Sequence, residues 1–189
     1  FNLGLEKKLK RKGTNTVHYV SPSIWAWRES RAKKIAQSAD RVLCLFPMEP
    51  PIYARYGVAA DFVGHPIADR FEIEPDQSAA QELLKLPQDK KILAVLPGSR
   101  RSEIQRLLPV FLDAIGLLQQ NHRDMAFVIP AANESCRDVI AALLQNRSID
   151  NLRLIDGQSH QAMIASDVIL LASGTAALEA MLAKRPMVV

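Results

Sequence analysis

At 189 residues the chain is long enough for one ordinary domain or two small lobes, and 48% hydrophobic with 23% charged residues excludes a disordered or fibrous protein. The net charge of +4 gathers early, in Lys7, Lys8, Lys10, Arg11 and Lys12 and again in Arg28, Arg31, Lys33 and Lys34. Such clusters are solvated helix faces or meet an anionic substrate or membrane surface; nucleic acid is disfavoured, because no stacking aromatics are interleaved with them and no binding motif is present. No apolar run approaches the roughly 20 residues of a membrane span, and Cys44 and Cys136 fit no metal-ligand spacing.

In chain order, Leu3 to Arg11 reads as a helix with Leu5 and Leu9 on one face and lysines on the other, ended by Gly13. Thr16 to Val20 is a β-rich run ending in Ser21-Pro22-Ser23. Trp25 and Trp27 follow beside Arg28, and they line a pocket or interface or plug the core; the residues alone do not separate the two. Glu29 to Ala39 is expected as a helix with Ile35 and Ala36 inward, Val42 to Phe46 as a strand with Cys44 a buried small hydrophobe, and Met48 to Tyr56 as a helix closed by Gly57. Asp61 to Pro66 is a short strand running into a turn. Residues 67–90 are polar and acidic, punctuated by Pro75 and Pro87, with one helix over Ala79 to Leu86; they read as a connector and the first helix of a second lobe.

Residues 91–189 are a cleaner α/β series. Strands are expected at Lys91–Leu96, Met125–Pro130 and Leu152–Ile155, and helices at Ser102–Gln120, Cys136–Gln145 and His160–Ala165. In the long helix Ile104, Leu107, Leu108, Phe111, Ile115 and Leu118 stand at helical spacing. Alternating strands and helices predict parallel sheets with helices on both faces.

The stretch Asp167 to Pro186 carries the chemistry. An apolar run, Val168 to Ala172, reads as a buried parallel strand and runs through Ser173-Gly174-Thr175 into a helix from Ala176 to Lys184, with Leu178, Met181 and Leu182 on one face. A strand, a Gly-bearing turn and a helix start make an anion site, because free N–H groups and the helix dipole point outward. Ser173 and Thr175 cap that helix or give their hydroxyls to a phosphate. Glu179, one turn in, can accept both hydroxyls of a ribose. The same tripeptide can also be no more than a capped turn. A second unit of this kind, Pro97-Gly98-Ser99-Arg100, lies on the same carboxyl rim of the sheet and adds a guanidinium suited to phosphate. Arg101 and Arg106 face the same way or are solvated. There is no Walker lysine motif and no G-x-G-x-x-G fingerprint, which argues against an ATPase or a dinucleotide enzyme. The pair of turns with Glu179 reads as a nucleotide diphosphate site.

Four blocks, Val20-Ser21-Pro22-Ser23-Ile24-Trp25-Ala26-Trp27-Arg28, Phe62-Val63-Gly64-His65-Pro66, Leu96 to Ile104 with its Pro-Gly-Ser-Arg, and Leu171 to Glu179, resemble the lipid-A-disaccharide synthase family in order and spacing over essentially the whole chain. The resemblance implies a GT-B fold, α/β with parallel Rossmann-like sheets and helices on both faces. Residues 1–66 would be the end of the acceptor-side lobe and 91–189 the UDP-sugar lobe, with the active site in the cleft between lobes. It implies transfer of 2,3-diacylglucosamine from UDP-2,3-diacylglucosamine to 2,3-diacylglucosamine 1-phosphate, without metal or cofactor, by a cytoplasmic enzyme peripheral to the inner membrane. Gly98, Ser99, Arg100, Ser173, Gly174, Thr175 and Glu179 would bind the donor. Ser21, Trp25 and Arg28 would face or support the cleft. His65 would touch the donor or pin the hinge, and Gln158 and His160 would reach the uracil or sugar. No catalytic residue falls within the chain: Phe1-Asn2 resembles the tail of the acidic motif whose aspartate is the general base, so both ends are expected to be cut and the fragment to lack catalysis. Other readings are a UDP-N-acetylglucosamine 2-epimerase or peptidoglycan-precursor transferase, against which the Trp-rich block argues, or a non-catalytic nucleotide-binding module. Nothing in the sequence fixes the oligomeric state.

Overall fold

The structure, a computed structural model, describes residues 2–122 and 124–189, with the Trp27 side chain left outside; the readings on Phe1 and on the Trp27 ring fall outside the described residues. The chain forms two compact units, Phe1–Arg70 and Phe71–Val189, which divide within the stretch expected as connector.

The first unit runs α1 (Asn2–Arg11), β1 (Val17–Tyr19), α2 (Ile24–Trp27), a 3-10 turn (Glu29–Arg31), α3 (Ala32–Ala36), β2 (Arg41–Cys44), α4 (Pro50–Ala54) and β3 (Ala59–Phe62). Its strands pair in parallel in the order β1-β2-β3. Strand period puts Val42 and Cys44 on one face, where Ile24, Ile35, Ile52 and Tyr53 bury them. Burial pushes the Cys44 thiol up to about 11, in keeping with its expected role as a small hydrophobe. Tyr53 is fully buried, and its hydroxyl lies 2.8 Å from Ser21 Oγ. The expected helices over 29–39 and 48–56 are shorter. Arg28, at φ −144°, breaks the backbone before a 3-10 turn, and Pro50 and Pro51 can only open a helix, so α4 starts there.

The second unit runs α5 (Gln77–Leu83), β4 (Lys91–Leu96), α6 (Arg101–Asn121), β5 (Met125–Ala131), α7 (Glu134–Leu144), β6 (Leu152–Asp156), α8 (Ser159–Ala165), β7 (Val168–Leu171), α9 (Thr175–Leu182) and β8 (Met187–Val188). All five strands are parallel, in the order β6-β5-β4-β7-β8. Both faces of the sheet are covered. Ile92, Ala94, Leu96, Val128, Ile169 and Leu171 pack with residues of α5, α8 and α9. Leu93, Val95, Phe127 and Ile129 pack on the other side with Ile104, Leu108, Leu112 and Ile115 of α6 and Cys136, Val139 and Ile140 of α7. Two-sided burial is why these strands read as continuous apolar runs.

The inward face of α9 is made of small residues. In α9 it is Ala180 that is buried, followed by Ala183 just after the helix, while Met181 is 63% exposed and Leu178 and Leu182 are half-buried. Small side chains let this helix lie close on the sheet beside Met163 and Leu171, and closeness, not apolar bulk, sets its rotation.

Strand order places the candidate site. From β4 the chain winds one way to β5 and β6, whereas β7 pairs on the other side of β4 and leads to β8. The winding reverses between β4 and β7, and ligands of open α/β sheets bind at the carboxyl ends of strands at such a switch point. Leu96 and Leu171 are register partners, so the segments that follow them leave the sheet side by side.

Candidate donor site

The seven residues expected to hold a donor, Gly98, Ser99, Arg100, Ser173, Gly174, Thr175 and Glu179, all line one cavity of about 520 Å³, within the ~300–1,000 Å³ range of ligand pockets. Leu96, Pro130, Ala131, Ala132, Gly157 and Ser159 complete much of the wall. Arg101 and Arg106 are not among the lining residues; the Arg101 guanidinium lies 3.5 Å from Ser135 Oγ.

Neither hydroxyl of the Ser-Gly-Thr turn caps α9. Gly174 is the N-cap residue, and no side-chain cap hydrogen bond is made there. A β-carbon at Gly174 would meet no atom within 4 Å, so the backbone there is open to close approach.

The other turn is held from two sides. Gly98 has φ +126°, a conformation that side-chain-bearing residues rarely adopt. Cys136 Sγ lies 3.3 Å from the Ser99 carbonyl oxygen, beneath the turn. Above it, the Ser99 N–H donates to Glu103 Oε2 at 3.2 Å and the Arg100 guanidinium to Glu103 Oε1 at 2.8 Å. Partial burial alone would raise the Glu103 carboxyl; the Ser99 N–H and the Arg100 guanidinium outweigh it and hold it below the usual carboxylate range. Glu103 also lines the cavity. Glu103 stands at the third helical position, but Arg100 rather than Ser or Thr holds the N-cap, so the sequence carries no capping-box signature that would have singled it out.

Glu179 is 18% exposed, and its Oε1 lies 3.3 Å from His160 Nε2. The His160 ring packs on Phe71 with centroids 4.6 Å apart. Gln158 takes the left-handed conformation, φ +54°, at the N-cap of α8 and is not among the cavity's lining residues, although Gly157 and Ser159 are. Ser21, Trp25, Arg28 and His65 belong to the first unit. There Ser21 is buried against Tyr53, Trp25 is 47% exposed, Arg28 ends α2, and His65 Nδ1 accepts from the Ile67 N–H at 3.2 Å beside the Phe46 ring. The exposed Trp25 does not plug the core; Ile24 does, at 1% exposure. Among the described residues no group of three His, Cys, Asp or Glu side chains is placed to hold a metal ion, and no helix is long and apolar enough to cross a membrane.

The family model for lipid-A-disaccharide synthetase matches residues 1–189. The chain belongs to that family. It is 56% identical over its whole length to the lipid-A-disaccharide synthase of Xanthomonas euvesicatoria and 55% identical to that of Xylella fastidiosa, covering 44% and 50% of those proteins. The chain therefore spans about half the length of the curated relatives it matches. Among solved structures, UDP-GlcNAc 2-epimerase from Neisseria meningitidis bound to UDP-GlcNAc aligns with 99% of this chain and 56% of its own, at TM-score 0.63 and 16% identity. The S. aureus MnaA–UDP co-structure aligns with 98% of this chain and 52% of its own, at TM-score 0.62 and 18% identity. At such identities the likeness is one of fold: this chain shares the parallel α/β architecture of those proteins.

Proposed function

We propose that this chain supplies the nucleotide-sugar site of a lipid-A-disaccharide synthase, which transfers 2,3-diacylglucosamine from its UDP donor to 2,3-diacylglucosamine 1-phosphate and releases UDP. The observation that carries this reading is the convergence of two strand–turn–helix units and the Glu179 carboxylate on one cavity, in a chain of that family. The acceptor hydroxyl oxygen attacks the anomeric carbon and gives its proton to a general base, a role assigned to no residue of this chain; the bond from that carbon to the diphosphate breaks, and UDP leaves with the electron pair. The start of α9, the Gly98–Arg100 turn and the Arg100 guanidinium stabilise the charge that develops on the diphosphate. Glu179 accepts the ribose hydroxyls and fixes the nucleoside. On this reading residues 91–189 belong to the UDP-sugar lobe and residues 1–66 to the acceptor-side lobe.

Both substrates carry acyl chains, and the helix α1 has a face suited to the cytoplasmic surface of an inner membrane. Leu5 is 51% and Leu9 37% exposed, with exposed Lys8, Arg11 and Lys12 beside them. Apolar side chains flanked by cations bind anionic lipid surfaces.

Glu179→Ala tests the site. Calorimetric titration of UDP should show a loss of about 1.5–3 kcal/mol, the scale of a charge-assisted contact. Unchanged UDP affinity removes Glu179 from the site.

A further inference from the structure

Glu179 does not stand alone at the cavity wall, and its neighbour was not needed for the reading above. Its side chain is 18% exposed and that of His160 19%, with His160 Nε2 3.3 Å from Glu179 Oε1. A carboxylate so far removed from water is costly unless a donor or cation faces it. Here the imidazole faces one carboxylate oxygen only. His160 comes from α8 and Glu179 from α9, so the contact ties together the helices that precede and follow β7 and pack on the same face of the sheet. The imidazole is itself held: Phe71 packs on its ring at 4.6 Å, tilted by 42°. Glu179 lines the cavity and His160 is not among the lining residues. The histidine therefore reaches the cavity through the carboxylate.

We propose that His160 is a positioning residue for Glu179: it engages Oε1, fixes the carboxylate plane, and leaves Oε2 to accept both hydroxyls of a nucleotide's ribose. This rests on the donor-site reading. A carboxylate oxygen has lone pairs enough for two hydroxyl donors. A vicinal diol is recognised well only when that oxygen is already in place, since ordering a free glutamate side chain costs rotamer entropy. The sequence pattern hid the pair, because the two residues are 19 positions apart on different helices.

The test is UDP and 2′-deoxy-UDP titrated by calorimetry into the full 189-residue chain and into His160→Ala, His160→Gln, Glu179→Ala and the His160→Ala/Glu179→Ala double variant, with thermal melts alongside. A glutamine amide nitrogen reaches the place of Nε2. The expected result is that His160→Ala weakens UDP about tenfold, the scale of one coupled contact, and weakens 2′-deoxy-UDP, which keeps only the 3′-hydroxyl, by a smaller factor. Glutamine restores UDP binding, and the alanine change adds less than about twofold once Glu179 is gone. Equal losses for both nucleotides, or the same loss in the Glu179→Ala background, overturn the proposal and make His160 a packing residue. If Glu179→Ala weakens UDP but His160→Ala does not, the positioning role falls and the donor site stands. If the unaltered chain does not bind UDP, the donor site falls and the positioning role with it.

Discussion

Glu103 folds back over Gly98 so closely that a β-carbon at position 98 would stand 2.7 Å from both Cβ and Oε2 of Glu103. The glutamate has no room to leave while it holds the Ser99 amide, because the clash is with its own Cβ as well as with its flexible tip. Gly98→Ala also forces a residue with a side chain into φ +126°. The expected outcome is a loss of about 1–3 kcal/mol in stability by urea unfolding, together with weaker UDP binding because the turn must shift. A stability and affinity equal to the unaltered chain would contradict this.

The same relationship makes Glu103 a competitor for an incoming anion. Its carboxylate occupies the Ser99 N–H and the Arg100 guanidinium, the donors that the proposed diphosphate would use. Glu103→Gln keeps the shape and removes the charge. UDP affinity should rise, roughly three- to tenfold, the scale of one nearby like charge at a partly solvated site. Uridine, which carries no phosphate, should be unaffected. Weaker UDP binding would mean that the carboxylate supports the turn more than it competes for it.

Asp167 sits at the start of β7, away from the turn that follows the strand. Its carboxylate accepts from the Ile92 N–H at 2.8 Å and from Lys91 at 3.2 Å. Burial alone would raise its carboxyl, but the Ile92 amide, Lys91 and Gln77 outweigh burial and hold it below the usual 3.8. A carboxylate lowered in the fold contributes stability that is complete above its unfolded value and is lost as pH falls through the folded one. Asp167→Asn should therefore cost about 1–2 kcal/mol at neutral pH, and the gap should close as pH falls below about 4. Urea titrations of both proteins across that range measure it; a constant gap would contradict the assignment.

The β4–turn–α6 and β7–turn–α9 units were legible because two-sided burial makes each strand an unbroken apolar run and because glycine marks each turn. That both turns open on one cavity is not local information. It follows from the pairing of β4 with β7 in a sheet ordered β6-β5-β4-β7-β8. Helical spacing puts Leu178, Met181 and Leu182 on one face of α9, but that Ala180 and Ala183 lie inward follows from close packing on the sheet, which the spacing does not carry. The first unit's helices were drawn too long, since Pro50-Pro51 and the turn at Arg28 act on the backbone more strongly than the helix formers around them. Glu103 over Ser99 and His160 beside Glu179 needed coordinates: one depends on a rotamer, the other on how α8 and α9 lie.

The central claim is that the two turns and Glu179 form one nucleotide site. A structure of the chain with UDP tests it most directly. The expected result is the diphosphate on Gly98–Arg100 and Ser173–Thr175, with the ribose hydroxyls within hydrogen-bond distance of Glu179. UDP bound elsewhere, or a diphosphate that touches neither turn, would contradict it.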